Sequence, residues 1–268
     1  MMRWSLGWLV LLIGALCSAT ADEIGSFDHQ HTAFTNILQD HVVTFDNGLK
    51  AGVDYPALAA EPEPLNAYLQ SLSAVSPAEF NRWSPAEQLS FLMNAYNGFT
   101  LQLIVDNYPQ FAAGDAESIR DLGSLFNSPW EIEFFTLLGE SRHLDWVEHD
   151  TIRQKFNEPR IHAALVCAAI SCPPLRPEAF VANQLDQQLD DQMRVFLSDR
   201  DINGIDSEGL YLSKIFDWYG SDFGNLQAYL TRYSAALTDT AEQAERLDTT
   251  KLEPRYTEYN WQLNLRKH

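Results

Sequence analysis

Cysteine is scarce in this 268-residue chain: Cys17, Cys167 and Cys172 are the only three. That count excludes a small scaffold stitched by many disulfides, and the absence of any CxxC pair argues against zinc ribbons and thioredoxin-type redox motifs. Basic residues are scarce as well, 18 Lys and Arg against 37 Asp and Glu, and they form no cluster. A surface of that sign repels phosphates and anionic lipid heads, so no nucleic-acid partner is expected. GxSxG, P-loop, dinucleotide and HExxH signatures are all missing, which disfavours the chemistries they carry; no cofactor and no bound metal is expected.

What is present begins with an N-terminal pattern. One arginine, an apolar run from Leu6 to Leu16 and the small-x-small sequence Ala19-Thr20-Ala21 predict a secretory signal peptide over residues 1–21. The run is shorter than the roughly 20 apolar residues a span needs. Leu16, where a lipoprotein box wants a small residue before Cys17, argues against lipidation. The expectation is an exported chain, periplasmic or secreted, with no membrane insertion after cleavage. Its 17 basic residues against 37 acidic ones then give a net charge of −20. Hydrophobic residues at 46%, without repeats or long linkers, point to one globular domain over residues 22–268.

Helical punctuation dominates the first half. Phe34, Ile37, Leu38, His41 and Val42 share one face, with Gly48 as the stop. Two Ser-Pro-Ala-Glu boxes, at Ser76 and Ser84, each supply an N-cap, a first-turn proline and a capping glutamate. The second opens a helix toward Pro109 that is apolar nearly all round, the mark of a buried helix. Asn94 and Asn97 form its polar strip. Amides in that position either satisfy core backbone groups or orient a base and stabilise developing negative charge.

The middle of the chain changes character. Glu131–Gly139, apolar and closed by glycine, predicts a strand. Asp145 and Glu148, three apart, predict a capped short helix to about Phe156, with Glu148 and His149 in its first turn. Ile161–Ala169, rich in alanine, predicts another helix, on which His162 and Cys167 lie about 140° apart and do not face one another. Cys172 follows in the stiff Ser-Cys-Pro-Pro loop. Three arrangements remain open: a Cys167–Cys172 disulfide adding only about 2 kcal/mol, a nucleophilic thiol served by His162 or His149, or zinc held by both histidines and both cysteines at spacings that match no common site. Asp199, Asp201, Asn203 and Gly204 begin like a calcium loop, but Leu210 stands where the bidentate glutamate belongs, so a hairpin turning at Asn203-Gly204 is favoured.

Amphipathic patterns after Pro177 and around Leu226 predict two more helices. The fold class is therefore α+β: a predominantly helical single domain with a small β-sheet or hairpin and a buried central helix. FLMNAYNGFTLQLI, the segment from Leu144 to Arg176, LSKIFDWYGSDFG and YNWQLN together resemble the domain-of-unknown-function 547 family over roughly residues 53–264. Asn260 departs from the Tyr-Asp-Trp expected of that family, which puts a histidine-orienting aspartate in doubt. The resemblance implies fold and boundaries and no settled activity. The leading functional expectation is a thiol-dependent hydrolase or acyl transferase acting on a small-molecule or peptide substrate. In it Cys167 or Cys172 is the nucleophile, His162 or His149 the base, and Asn94 or Asn97 orients a group or stabilises charge. Glu148 is a further candidate site residue, with helix capping its stronger reading. The competing class is a non-enzymatic binding or assembly protein stapled by its cysteines.

Overall fold

A computed structural model describes residues 27–124 and 127–266; the expected signal segment and Cys17 lie outside the described residues. The architecture is α+β and predominantly helical, with two two-stranded hairpins and one three-stranded sheet among the described residues. No helix among them is long and apolar enough to cross a membrane.

The central helix, Pro85–Asp106, begins where its sequence predicts. Ser84 and Glu87 cap each other reciprocally, with Oε2 of Glu87 accepting from the Ser84 N–H at 2.8 Å. Every residue from Leu89 to Leu101 is buried. Gly98 matters here: a Cβ on it would stand 2.9 Å from Leu69 Cδ2, on the helix Glu63–Ser73 that packs alongside.

Other expectations are corrected. Gly48 does not merely stop the first helix, Thr32–His41; it closes a tight turn at Asp46-Asn47-Gly48, all at positive φ, joining strands Val42–Phe45 and Lys50–Val53. The Val-Val-Thr-Phe run has the β-branched and aromatic content of a strand. Within Glu131–Gly139 only Phe135–Leu137 is strand, pairing with Glu140–Arg142, because Ser128 caps a 3-10 turn over Pro129–Glu131. Asp145 makes no side-chain cap, and Trp146–Ile152 is a π-helix in which the Arg153 N–H reaches the carbonyl of Glu148. Ile161–Ala169 keeps only the 3-10 turn Pro159–Ala163, and Ala168 sits at φ 62. Its alanine propensity, a few tenths of a kcal/mol per residue, is overridden by buried hydrogen bonds to Asn97.

The hairpin near Asn203 is present, shifted along the chain. Strands Gly204–Asp206 and Gly209–Leu212 turn at Ser207-Glu208, and Arg255–Tyr256 adds a third strand parallel to the second. Asn203 is instead buried, its amide donating to the Phe196 carbonyl and accepting from the Ser213 N–H. Gly204 is required by close approach, since a Cβ there would lie 2.5 Å from the Tyr211 hydroxyl.

Two hydrophobic clusters share the helix Leu185–Ser198: Leu185 and Leu189 belong to one, Met193, Phe196 and Leu197 to the other. The segment Ile161–Ala163 bridges the same two clusters, and Tyr259 packs against both. Cavities tend to form where packed units meet.

Candidate functional site

At that meeting place lies a cavity of about 250 Å³. The π-turn carries Glu148 into its wall, buried and hydrogen-bonded to the hydroxyls of Tyr96 and Tyr219. Burial raises the Glu148 carboxyl above the ordinary carboxylate range, against the opposing pull of His149 and the two tyrosines. A π-turn widens the helix locally, a distortion often found at functional sites.

His162 stands beside it on the 3-10 turn, its ring stacked on Tyr219 with centroids 3.9 Å apart. Its Nε2 is 2.8 Å from Asp222 Oδ2, and its Nδ1 is 3.8 Å from Glu148 Oε1. Asp222 is gripped by Arg153 through Nε at 2.7 Å and Nη2 at 2.8 Å. Those bonds, with a smaller contribution from His162, hold Asp222 well below the usual carboxylate range despite partial burial. An ionised Asp222 only accepts, so Nε2 of His162 is the N–H and Nδ1 carries a lone pair toward Glu148. Burial lowers the His162 pKa to about 4, outweighing the Asp222 hydrogen bond. One imidazole therefore lies between a carboxylate kept ionised and a carboxyl held toward its protonated form.

The sulfur pair forms another part of the wall. Cys167 and Cys172 are at disulfide distance, their Cα atoms 6.4 Å apart. The Tyr259 hydroxyl lies 3.2 Å from Cys167 Sγ and 3.1 Å from Cys172 Sγ. The backbone N–H of Cys167 donates to Cys172 Sγ at 3.1 Å. Tyr259 itself is set between Trp218 and Trp261, at centroid distances of 4.8 and 4.6 Å. A C-terminal strap delivers it: the N–H groups of Ile170 and Ser171 donate to the carbonyls of Gln262 and Asn260, and that of Asn264 to Ala168.

Over residues 80–197 the chain matches the family model described as a protein of unknown function, DUF547. That stretch, a little under half of the chain, is similar to the DUF547 family. No curated protein and no solved structure matches it. The matched stretch contains every candidate catalytic residue drawn from the sequence, whereas Tyr219, Asp222 and Tyr259 lie beyond its end.

In this chain Glu148, His149, His162, Cys167 and Cys172 all line one cavity. Asn94 and Asn97 do not line it. Asn94 holds the Phe180 N–H and carbonyl at 2.9 and 2.7 Å, and Asn97 holds the Val166 N–H and the Ala164 carbonyl at 2.9 and 3.0 Å. Both amides serve backbone, and Asn97 fixes the approach to Cys167. Among the described residues no histidine is hydrogen-bonded to either sulfur: His162 faces two carboxylates, while His149 Nδ1 accepts from Arg153 Nη1 at 2.9 Å and Nε2 faces Asp145 at 3.6 Å. The zinc set is likewise not assembled, since no group of three such side chains converges there. Asn260, the departure from the family pattern, accepts from the Gln262 N–H; Asp222 fills the role that an aspartate beside Tyr259 was expected to have. Asp222 and Tyr219 were visible in the WYGSDFG motif, and Tyr259 in YNW, but spacing alone did not connect them to His162 or the sulfurs.

Proposed function

We propose that this chain is a hydrolase in which the Asp222–His162 dyad is the general base and Glu148 the general acid. The observation that carries this reading is the single buried imidazole whose two nitrogens face carboxylates of opposite poise. Pairs of titratable groups pushed in opposite directions mark acid and base assignments. Water is a co-substrate. Its oxygen attacks the electrophilic carbon, its proton passes to Nδ1 of His162, and Glu148 gives its proton to the leaving group. The proton on His162 then returns across the 3.8 Å gap to Glu148 and resets the site. Trp130, Trp218, Trp261 and Tyr219 supply ring faces for a compact substrate with an apolar or sugar-like face.

Thiol-dependent hydrolysis, the leading expectation from the sequence, needs a thiolate facing a base. The paired sulfurs contact Tyr259 instead, which favours water as the nucleophile. The stapled binding-protein reading draws support from the same pairing, and one experiment separates the two. A panel of chromogenic esters, amides and glycosides is assayed with wild type, Glu148→Gln and His162→Asn. The hydrolase reading expects at least one substrate whose kcat falls about 100-fold or more in each variant, the scale of acid–base catalysis. Turnover that survives Glu148→Gln, or a panel without any turnover, overturns it and leaves the binding-protein reading.

A further inference from the structure

A second cavity, of about 770 Å³, adjoins the first, and Cys172 lines both. Cys172 thus borders two concave spaces. Cys167 is the more open of the two cysteines and faces only the acid–base cavity; Cys172 is buried. The two sulfurs are also unequal in what supports them. The Cys167 N–H is aimed at Cys172 Sγ, and the Tyr259 hydroxyl lies within reach of both. A cross-link between residues only five apart closes a very short loop and adds little to stability by chain entropy, so its position in a cavity wall calls for another explanation.

From these contacts we propose that Cys167–Cys172 is a thiol–disulfide exchange site that accepts a small thiol from the acid–base cavity. The incoming thiolate attacks Cys167 Sγ, forming a new S–S bond while the Cys167–Cys172 bond breaks. The electron pair of the broken bond goes to Cys172, which leaves as a thiolate accepting hydrogen bonds from the Cys167 N–H and the Tyr259 O–H. A second thiolate of the same kind attacks the sulfur of the bound small thiol, so that its disulfide dimer departs and Cys167 is left as a thiolate, protonated from solvent. Two small thiols are oxidised and the protein pair is reduced. The direction of attack follows from access and from leaving-group stabilisation, the two factors that choose between sulfurs in exchange. This activity rests on the sulfurs and Tyr259 alone, independent of proton transfer by Glu148 and His162.

The test uses the folded chain with reduced glutathione at millimolar concentration as the probe. Samples quenched with acid, alkylated and mapped by mass spectrometry should show the glutathione adduct on Cys167, with Cys172 alkylated, before the doubly reduced form accumulates. Tyr259→Phe should slow loss of the disulfide about tenfold, the loss of one hydrogen bond to a charged leaving group. Should that variant fold poorly, the wild-type adduct map alone decides. Adduct on Cys172 or equally on both sulfurs, reduction that requires denaturant, or an unchanged rate in well-folded Tyr259→Phe overturns the proposal. None of these readouts depends on hydrolytic turnover, so failure here and failure of the hydrolase reading are told apart.

Discussion

His31 offers a clean measure of how burial of an imidazole makes this fold acid-sensitive, because it lies away from the cavity. It is 1% exposed, sits at φ 47 at the start of the first helix, and has Nδ1 2.9 Å from the Tyr68 hydroxyl. Its Nε2 is buried without a hydrogen-bond partner. Burial lowers its pKa to about 4 from an ordinary 6.5, with Asp28 opposing and His29 adding. Between those two values the unfolded chain binds the extra proton and the folded chain does not. The stability is therefore fully present above pH 6.5 and is lost as pH falls toward 4. At pH 5 linkage makes the loss about 2 kcal/mol, on the way to about 3 kcal/mol at the bottom of the window. Asparagine tolerates the left-handed backbone, so His31→Asn is the matched control. Urea melts at pH 7.5 and pH 5 should show wild type losing about 2 kcal/mol more than the variant, roughly 1 M in midpoint. The control is needed because other groups titrate in the same range. His162 has the same direction as His31, while Glu148, raised, gains stability as pH falls and offsets part of it. Parallel pH profiles for wild type and His31→Asn would show that burial of His31 does not make the fold acid-sensitive.

Asn97→Ala should destabilise the fold by about 2–4 kcal/mol in urea titrations, since it strands a buried N–H and a buried carbonyl at once; a loss under ~1 kcal/mol would show that the segment before Cys167 is held by other means. Millimolar calcium should leave the melting temperature unchanged in a thermal scan, because the Lys50 ammonium already sits against Asp201 with Asp199 and Asp46 each 3.8 Å away; a shift of several degrees abolished by Asp199→Ala would restore the calcium loop.

The parts of the fold legible in the sequence are those decided locally. The central helix begins at Ser84 because the capping box and first-turn proline act within one turn, and its burial is written in side chains apolar on every face. Ile161–Ala169 fails as a helix for the opposite reason: its backbone is claimed by Asn97, 67 to 69 positions earlier, and by the strap near Gln262. The same division runs through the site. Glu148, His149, His162 and both cysteines stand close in sequence and were found together; Asp222 and Tyr259 arrive from 60 and 92 residues downstream of His162 and Cys167. No periodicity records such a meeting. The π-turn is also invisible locally, since Asp145 and Glu148 at capping spacing are what an ordinary helix start would show.

The cysteine loop is held from two directions that do not involve sulfur. Asn97 grips Ala164 and Val166 on the approach, and the strap pairs with Ala168, Ile170 and Ser171 beyond it, with the Asn260 N–H also donating to Ser171 Oγ at 2.9 Å. The strap is in turn anchored at its far end, where the Val53 N–H and carbonyl bond Asn264 and Arg266; Gly52 lets it lie so close, a Cβ there meeting the Arg266 Cα at 2.9 Å. Breaking the cross-link removes none of these bonds. Tyr259 keeps its seat between Trp218 and Trp261, and Glu148, His162 and Asp222 are fixed by contacts of their own. Reduction therefore changes the chemistry of one wall, from a disulfide to a pair of thiols beside a tyrosine hydroxyl, while the walls that hold acid and base stay where they are.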